Sequence, residues 1–230
     1  MRPVDRGPCP QDGGRDVVFG EYGHARPHLI GRLGDYCSFC EAPLLNPAVE
    51  HVRHKDHNPA LQREWSNFLL ACTSCNSTKG IRVDTQADVE AHLWPDRDRT
   101  FDAFTYRDGA VSIAHGLDPA TERRAQALAD LVGLLKLPDN GLTRDQVLRG
   151  GDRRWEKRYE AWREAEEALV DWQSQPTTVT ASRILAQARP QGFFSIWYTV
   201  FAGVPEVLKG LPGRFPGTAT DRLEPGPSSP

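Results

Sequence analysis

Cys37-Ser38-Phe39-Cys40, Glu50-His51-Val52, Trp65-Ser66-Asn67-Phe68-Leu69 and Cys72-Thr73-Ser74-Cys75-Asn76 follow one another between Tyr36 and Gly80, and Lys79 closes the run. A Cys-x-x-Cys turn points two thiolates at one metal, and two such turns complete the four-coordinate shell that structural zinc prefers. Cys37, Cys40, Cys72 and Cys75 are therefore expected to hold one Zn2+. The stretch from Cys40 to Cys72 is longer than in a simple zinc ribbon. Closing it with a metal brings the Glu50-His51 segment back against a helix start at Asn76. Two paired knuckles argue against a redox dithiol. An inert ribbon has no physical need for Glu50, His51, Asn67 and Asn76 inside and beside its loop.

Around that stretch, 230 residues with 39% apolar side chains allow one large or two small soluble domains. The formal net charge of -3 supplies no whole-molecule attraction to polyanions, so affinity for nucleic acid has to come from a local basic face. Cys9 stands apart from the knuckles in a segment too polar for a signal peptide, and a reducing cytoplasm fits the cysteine usage. The longest apolar run, 193–204, is shorter than the roughly 18 residues a membrane span needs. It is expected to be a buried helix or strand, with no membrane anchor.

The chain divides on composition into five segments. Residues 1–35 are an arm without periodicity to about Gly20, then a short helix over 22–33. In that helix Ala25, Leu29, Ile30 and Leu33 recur at helical spacing and Gly34 marks the stop. Residues 36–82 are the zinc-bound core. In 83–116 a helix over 85–93 is stopped by Trp94-Pro95, and 101–113 alternates around Asp108-Gly109 as a hairpin. Residues 117–210 read as helical: one helix over 121–137, ended by Pro138, and a longer one from about 143 to 173 that Gly150-Gly151 interrupts. The longer helix places Trp155, Tyr159, Trp162, Leu169 and Trp172 near one face, with Arg149, Arg153, Arg154, Lys157, Arg158 and Arg163 among them. Such a mixture suits nucleic acid by charge plus stacking, or else a core stripe with a solvated basic edge. Pro, Gly, Ser and Thr dominate 211–230, where a disordered tail is expected. The fold class expected is α+β.

The central run resembles the HNH, or ββα-metal, endonuclease family in its four-cysteine form. The likeness runs through Cys37, Cys40, Glu50, His51, Asn67, Cys72, Cys75, Asn76 and Lys79, about a fifth of the chain. It implies a ββα-metal core in which Glu50 binds the catalytic metal, His51 is the general base, Asn67 braces the hairpin that presents the histidine, and Asn76 is the second ligand. A carboxylate and an amide oxygen suit a hard octahedral ion, so Mg2+ or Mn2+ is the expected catalytic cofactor. His51 suits the base role because an imidazole titrates near neutrality. The implied reaction is metal-assisted hydrolysis of phosphodiester bonds, leaving 5′-phosphate and 3′-hydroxyl ends. Lys55, Lys79 and Arg82 are near enough in sequence to be expected at the cleft rim, holding the phosphate backbone. His54 is a candidate supplement to the metal shell.

More narrowly, Val49-Glu50-His51-Val52-Arg53-His54-Lys55 with Trp65-Ser66-Asn67-Phe68 is similar to the HNH components of bacterial Septu and retron defence systems, which carry proline where His54 stands. That likeness implies an anti-phage effector acting on DNA, with a partner ATPase or other defence-system subunit docked on the helical half. A homo-oligomer is compatible with it. The alternative is a zinc-stabilised module that binds nucleic acid or a partner without catalysis, for which neither Glu50 nor His51 is needed.

Overall fold

The computed structural model describes residues 1–137 and 152–223. Among the described residues six short strands pair two by two, all antiparallel: β1 (Gln11–Asp12) with β2 (Arg15–Asp16), β3 (Ala48–His51) with β4 (Phe68–Ala71), and β5 (Phe104–Arg107) with β6 (Ala110–Ile113). Helices α1 (Arg26–Leu33), α2 (Thr73–Lys79) and α3 (Gln86–Glu90) lie among them. The remaining α-helices of the described residues are α4 (Pro119–Val132), α5 (Arg154–Ser174), α6 (Thr178–Gln191), α7 (Phe194–Val200), α8 (Pro205–Leu208) and α9 (Leu211–Arg214). The class is α+β, as expected. No helix among the described residues is long and apolar enough to cross a membrane.

Local chemistry accounts for the elements around the site. In α1 a proline sits in the first turn, Leu29 and Leu33 bury one face, and Gly34 ends the helix at φ 72°. A side chain at Gly34 would also meet the Tyr36 ring, its Cβ lying 2.8 Å from that ring. All four residues of β4 are buried, which is why this strand reads as an unbroken apolar run. Its register pairs Glu50 with Leu69 and His51 with Phe68. The chain then passes through Cys72, the N-cap of α2, whose Sγ accepts from the Cys75 amide at 3.3 Å.

The hairpin at Asp108-Gly109 forms as expected, with φ 48° and 75° at its two turn residues. A Cβ on Gly109 would lie 2.5 Å from the Tyr159 backbone nitrogen, so α5 crosses the turn where only glycine fits. Asp118 caps α4 by accepting from the Ala120 and Thr121 amides. That helix ends at Gly133 in the left-handed region, short of the expected stop at Pro138. Pro138, Arg149 and the expected helical stretch 143–151, with its Gly150-Gly151 interruption, lie outside the described residues.

Two expectations are corrected. The buried face of α5 is Arg154, Arg158, Ala161, Ala165 and Ala168 rather than the aromatic stripe. Tyr159 is exposed and stacks on Trp155, while Trp162, Leu169 and Trp172 are half-buried at the edge of the core. Alanines permit the close approach of α7, which packs against α5. The outer cations are not bare either: Arg153, Lys157 and Arg163 pair with Glu156, Glu160 and Glu166 one turn on.

The second correction is the C-terminal segment. Residues 211–223 are not a disordered tail; Leu211, Phe215, Ala219 and Leu223 are buried. They hold the N-terminal arm in return. The Asp5 amide donates to the Gly217 carbonyl at 2.7 Å and the Ala219 amide to Pro3 at 3.0 Å. Arg2 lies over the Tyr36 and Phe215 rings and donates to Pro216 and Leu33. One hydrophobic cluster draws residues from all five segments, so they share a single core.

Candidate functional site

The four knuckle cysteines come together. Each offers a sulfur, and the four sulfurs lie within 4.8 Å of one another. Cys40 Sγ and Cys72 Sγ are 3.7 Å apart. The edge of a tetrahedron with Zn–S bonds of about 2.3 Å is about 3.8 Å, so the donor set fits a metal such as zinc. The crowded sulfurs also interact without a metal. Hydrogen bonds from Cys37, Cys40 and Cys75 hold the Cys72 thiol far below its ordinary range, while hydrogen bonds with Cys37 and Cys72, together with burial, push Cys40 and Cys75 up. A divalent cation would draw the remaining protons off.

Arg154, at the start of α5, donates through Nη1 to Cys75 Sγ at 3.0 Å and to the Val132 carbonyl at 2.8 Å. Its Nη2 donates to Gly133 at 2.9 Å, and Asp152 pairs with it on the other side. One guanidinium thus joins the cysteine cluster, the last carbonyls of α4 and the start of α5. Sequence reasoning placed Arg154 on an outward basic face and missed this role. The available signal was the four-residue step from Arg154 to Arg158, which continues into Ala161, Ala165 and Ala168 on one helix face.

Beside the cluster, Tyr22, Glu50, His51, His54, Lys55 and Asn76 line a cavity of about 250 Å3. A roomier hollow of about 610 Å3 lies near Cys9, Phe19 and Trp65. None of the metal-competent groups of His, Cys, Asp and Glu among the described residues opens into it, so chemistry favours the smaller cavity.

His51 is 6% exposed and its Nε2 lies 2.9 Å from the Gln62 carbonyl oxygen. A carbonyl only accepts, so the partner assigns the proton to Nε2 and leaves Nδ1 with a free lone pair. Tyr22 and Phe68 meet the imidazole edge-on at 5.0 and 5.2 Å between ring centroids. Burial lowers the His51 pKa, which the Gln62 carbonyl partly offsets, and Lys55 and Lys79 lower it further. The ring is therefore neutral near physiological pH.

Asn67 lies where a brace is needed. Its Oδ1 accepts from the Arg53 amide at 2.8 Å, and its Nδ2 donates to Arg53 and Leu61 carbonyls at 3.0 and 3.2 Å. The amide therefore ties together both sides of the loop that carries His51. Asn76, on α2, reaches the cavity beside Glu50.

Glu50 is 5% exposed, with Oε1 2.9 Å from Lys79 Nζ. Burial raises its pKa, and the Lys79 charge and hydrogen bond offset only part of that rise. Lys79 itself is fully buried and also donates to the His51 carbonyl at 2.7 Å. It is not at the cleft rim, as its place in the sequence suggested. An ammonium so enclosed acts on Glu50 and the histidine backbone. Arg82 is turned away too: its guanidinium donates to Lys79 at 3.2 Å, and to the Thr78 and Leu131 carbonyls, joining the end of α2 to α4. Of the three expected phosphate contacts, Lys55 alone lines the cavity, paired with Asp56 at 2.8 Å and lying over the Tyr22 ring.

Sequence reasoning also passed over Glu41. This buried carboxylate accepts from the Arg2 amide at 2.9 Å, the Ser195 amide at 2.7 Å and the Ser195 hydroxyl at 2.8 Å. It locks the first knuckle to the N-terminal arm and to α7. Comparison with protein families, with curated proteins and with solved structures finds no match to this chain.

Proposed function

We propose that this chain is a metal-dependent endonuclease of the HNH type, with β3, β4 and α2 as its ββα-metal core. The observation that carries the proposal is the convergence of Glu50, His51 and Asn76 on one cavity beside the four-cysteine cluster, with His51 held through Nε2 by a backbone carbonyl. His51 takes a proton from water at Nδ1. Its lowered pKa keeps it in the basic form, and the Gln62 carbonyl steadies the imidazolium that results. Glu50 and Asn76 supply oxygen donors for Mg2+ or Mn2+, which when bound offsets charge developing on the scissile phosphate and leaving oxygen. Lys79 orients the Glu50 carboxylate and the His51 backbone from behind. Lys55 is placed to meet a phosphate at the rim. The cysteine cluster, filled by four thiolates, has no open position for substrate and serves the fold.

The resemblance to Septu and retron components extends the proposal to an anti-phage effector that cuts DNA and docks a partner ATPase on its helical region. A second reading, the non-catalytic zinc-stabilised binding module, is favoured by one observation: Glu50 Oε1 is already engaged by Lys79, as in a purely structural ion pair. Incubating the protein with supercoiled plasmid and with linear single strands, with Mg2+ or Mn2+, separates the two. Cleavage that His51→Ala lowers by roughly 10²–10⁴-fold, with substrate affinity retained, is the expected outcome. Metal-dependent binding without cleavage, unchanged in His51→Ala, would overturn it.

A further inference from the structure

His54, His57 and Asp84 form a second group of metal-competent side chains, separate from the cysteines, with one ligand atom from each within 4.8 Å of the others. His57 Nδ1 lies 2.6 Å from Asp84 Oδ2, and the two imidazole rings are 5.3 Å apart. Two atoms of the group are buried without a hydrogen-bond partner: His54 Nδ1 and Asp84 Oδ1. Orphaned polar atoms are uncommon in folded proteins and call for a partner. His54 Nε2 faces Asp56 Oδ2 at 4.0 Å, so with the ring proton there Nδ1 is an acceptor like Asp84 Oδ1, and two acceptors cannot satisfy each other. A cation satisfies both.

The backbone under these side chains is fixed by contacts that do not involve them. The His54 amide donates to the Val83 carbonyl at 2.8 Å. Arg53 Nε and Asn58 Nδ2 both donate to the Asp84 carbonyl, at 2.9 and 3.0 Å, and Arg53 is also bonded to Asn58. Asn58 Nδ2 further donates to the His54 carbonyl at 3.0 Å. The loop carrying both histidines is thereby held against the segment carrying the aspartate.

We infer that His54, His57 and Asp84 bind a divalent transition-metal ion of the zinc class, outside both the cysteine cluster and the Glu50–Asn76 donor pair. Two imidazole nitrogens with one carboxylate select Zn2+, Co2+ or Ni2+ over Mg2+, which prefers an all-oxygen shell. Three protein ligands leave a fourth position for water or an anionic oxygen. His57 is half-exposed, so an ion has an entry path. Because His54 also lines the cavity with Glu50 and His51, an ion held there adds positive charge at the rim where a phosphate would enter.

Metal stoichiometry tests this without reference to cleavage. Protein carrying its cysteine-bound zinc is dialysed free of weakly held metal, equilibrated with micromolar Zn2+ or Co2+, and assayed for metal per chain. Wild type should hold about two equivalents and His57→Ala/Asp84→Asn about one. The weaker site should lose at least about 100-fold in affinity, since even an outer-shell change costs about 10–100-fold. Glu50→Gln/Asn76→Ala should keep both equivalents. Should the double variant fold poorly, His57→Ala alone, at an exposed position, gives the same reading. A single equivalent in wild type would overturn the inference. So would a second equivalent that is lost with Glu50 and Asn76 but kept without His57. A protein that fails to cut nucleic acid yet binds two ions upholds this site and refutes only the nuclease proposal.

Discussion

Replacing Lys79 with methionine separates a buried structural cation from a phosphate-binding one. In the folded chain the Lys79 ammonium is enclosed, 2.9 Å from Glu50 Oε1 and 2.7 Å from the His51 carbonyl. Lys79→Met keeps the aliphatic volume but leaves a 5%-exposed carboxylate without its counter-ion and a buried carbonyl without its donor. Removing one partner of a buried pair destabilises by roughly 3–5 kcal/mol, a large share of the about 5–15 kcal/mol that stabilises a domain. For a chain of this size each kcal/mol moves Tm by about 2–4 °C, so a fall of roughly 6–20 °C is expected.

The loss should depend on pH. The Glu50 pKa is already raised by burial, and losing Lys79 raises it further. A carboxyl that holds its proton more tightly when folded makes stability fall as pH rises above the ordinary carboxylate range. The deficit of Lys79→Met should therefore grow between pH 5 and pH 8. Adding Glu50→Gln should recover most of it, because removing both charges is far less harmful than removing one. Thermal unfolding of the wild type, the two single variants and the double variant, at fixed zinc and at both pH values, completes the cycle. A Lys79→Met protein within about 1 kcal/mol of wild type at pH 8 would refute the buried pair and return Lys79 to the surface.

Cys72→Ser should leave the chain unfolded or insoluble, because it removes a metal ligand even though serine can still cap α2; a soluble variant with native circular dichroism and no zinc would contradict this. Arg154→Met should weaken zinc binding by about 10–100-fold in chelator competition, since it deletes the donor on Cys75 Sγ, and unchanged affinity would refute that link. Cleavage should rise with pH along an acid limb set by a His51 pKa below the ordinary value of about 6.5, and a limb above that value would point to a different base. The same shift favours the fold above about pH 6.5, because the unfolded imidazole binds the proton more readily, and this contribution is lost as pH falls through the folded pKa.

Much of the scaffold was legible because it depends on neighbours in sequence. Gly34 stops α1 and Asp108-Gly109 turns the hairpin, each through geometry contained within a few residues, whereas the helix expected over 85–93 is only Gln86–Glu90, ending before Trp94-Pro95. The cysteine cluster was legible for a related reason, since each knuckle orients its own pair of sulfurs. The C-terminal segment was misjudged because its Pro and Gly content signals irregular backbone, and irregular backbone is not the same as disorder. What orders 211–223 is the N-terminal arm some 200 residues away, which accepts and donates the hydrogen bonds that the segment cannot make with itself.

Charge was the least legible quantity, and the cases share one physical cause. A cation is assigned to the surface by default, because burying it requires partners that local sequence does not reveal. Lys79 and Arg154 break that default, whereas Arg82 stays exposed; all three donate to backbone carbonyls. Arg154 reaches the last carbonyls of α4, Arg82 those of α2 and α4, and Lys79 the carbonyl of His51. Asp152 beside Arg154 and Glu50 beside Lys79 then supply the negative charge that makes both burials tolerable. Thus Lys79, a cation that sequence position offered to nucleic acid, instead holds Glu50 and His51 of the cavity from behind. Lys55 remains at its mouth, and the His54–His57–Asp84 group is the place beside it where further positive charge can be brought in as a metal ion.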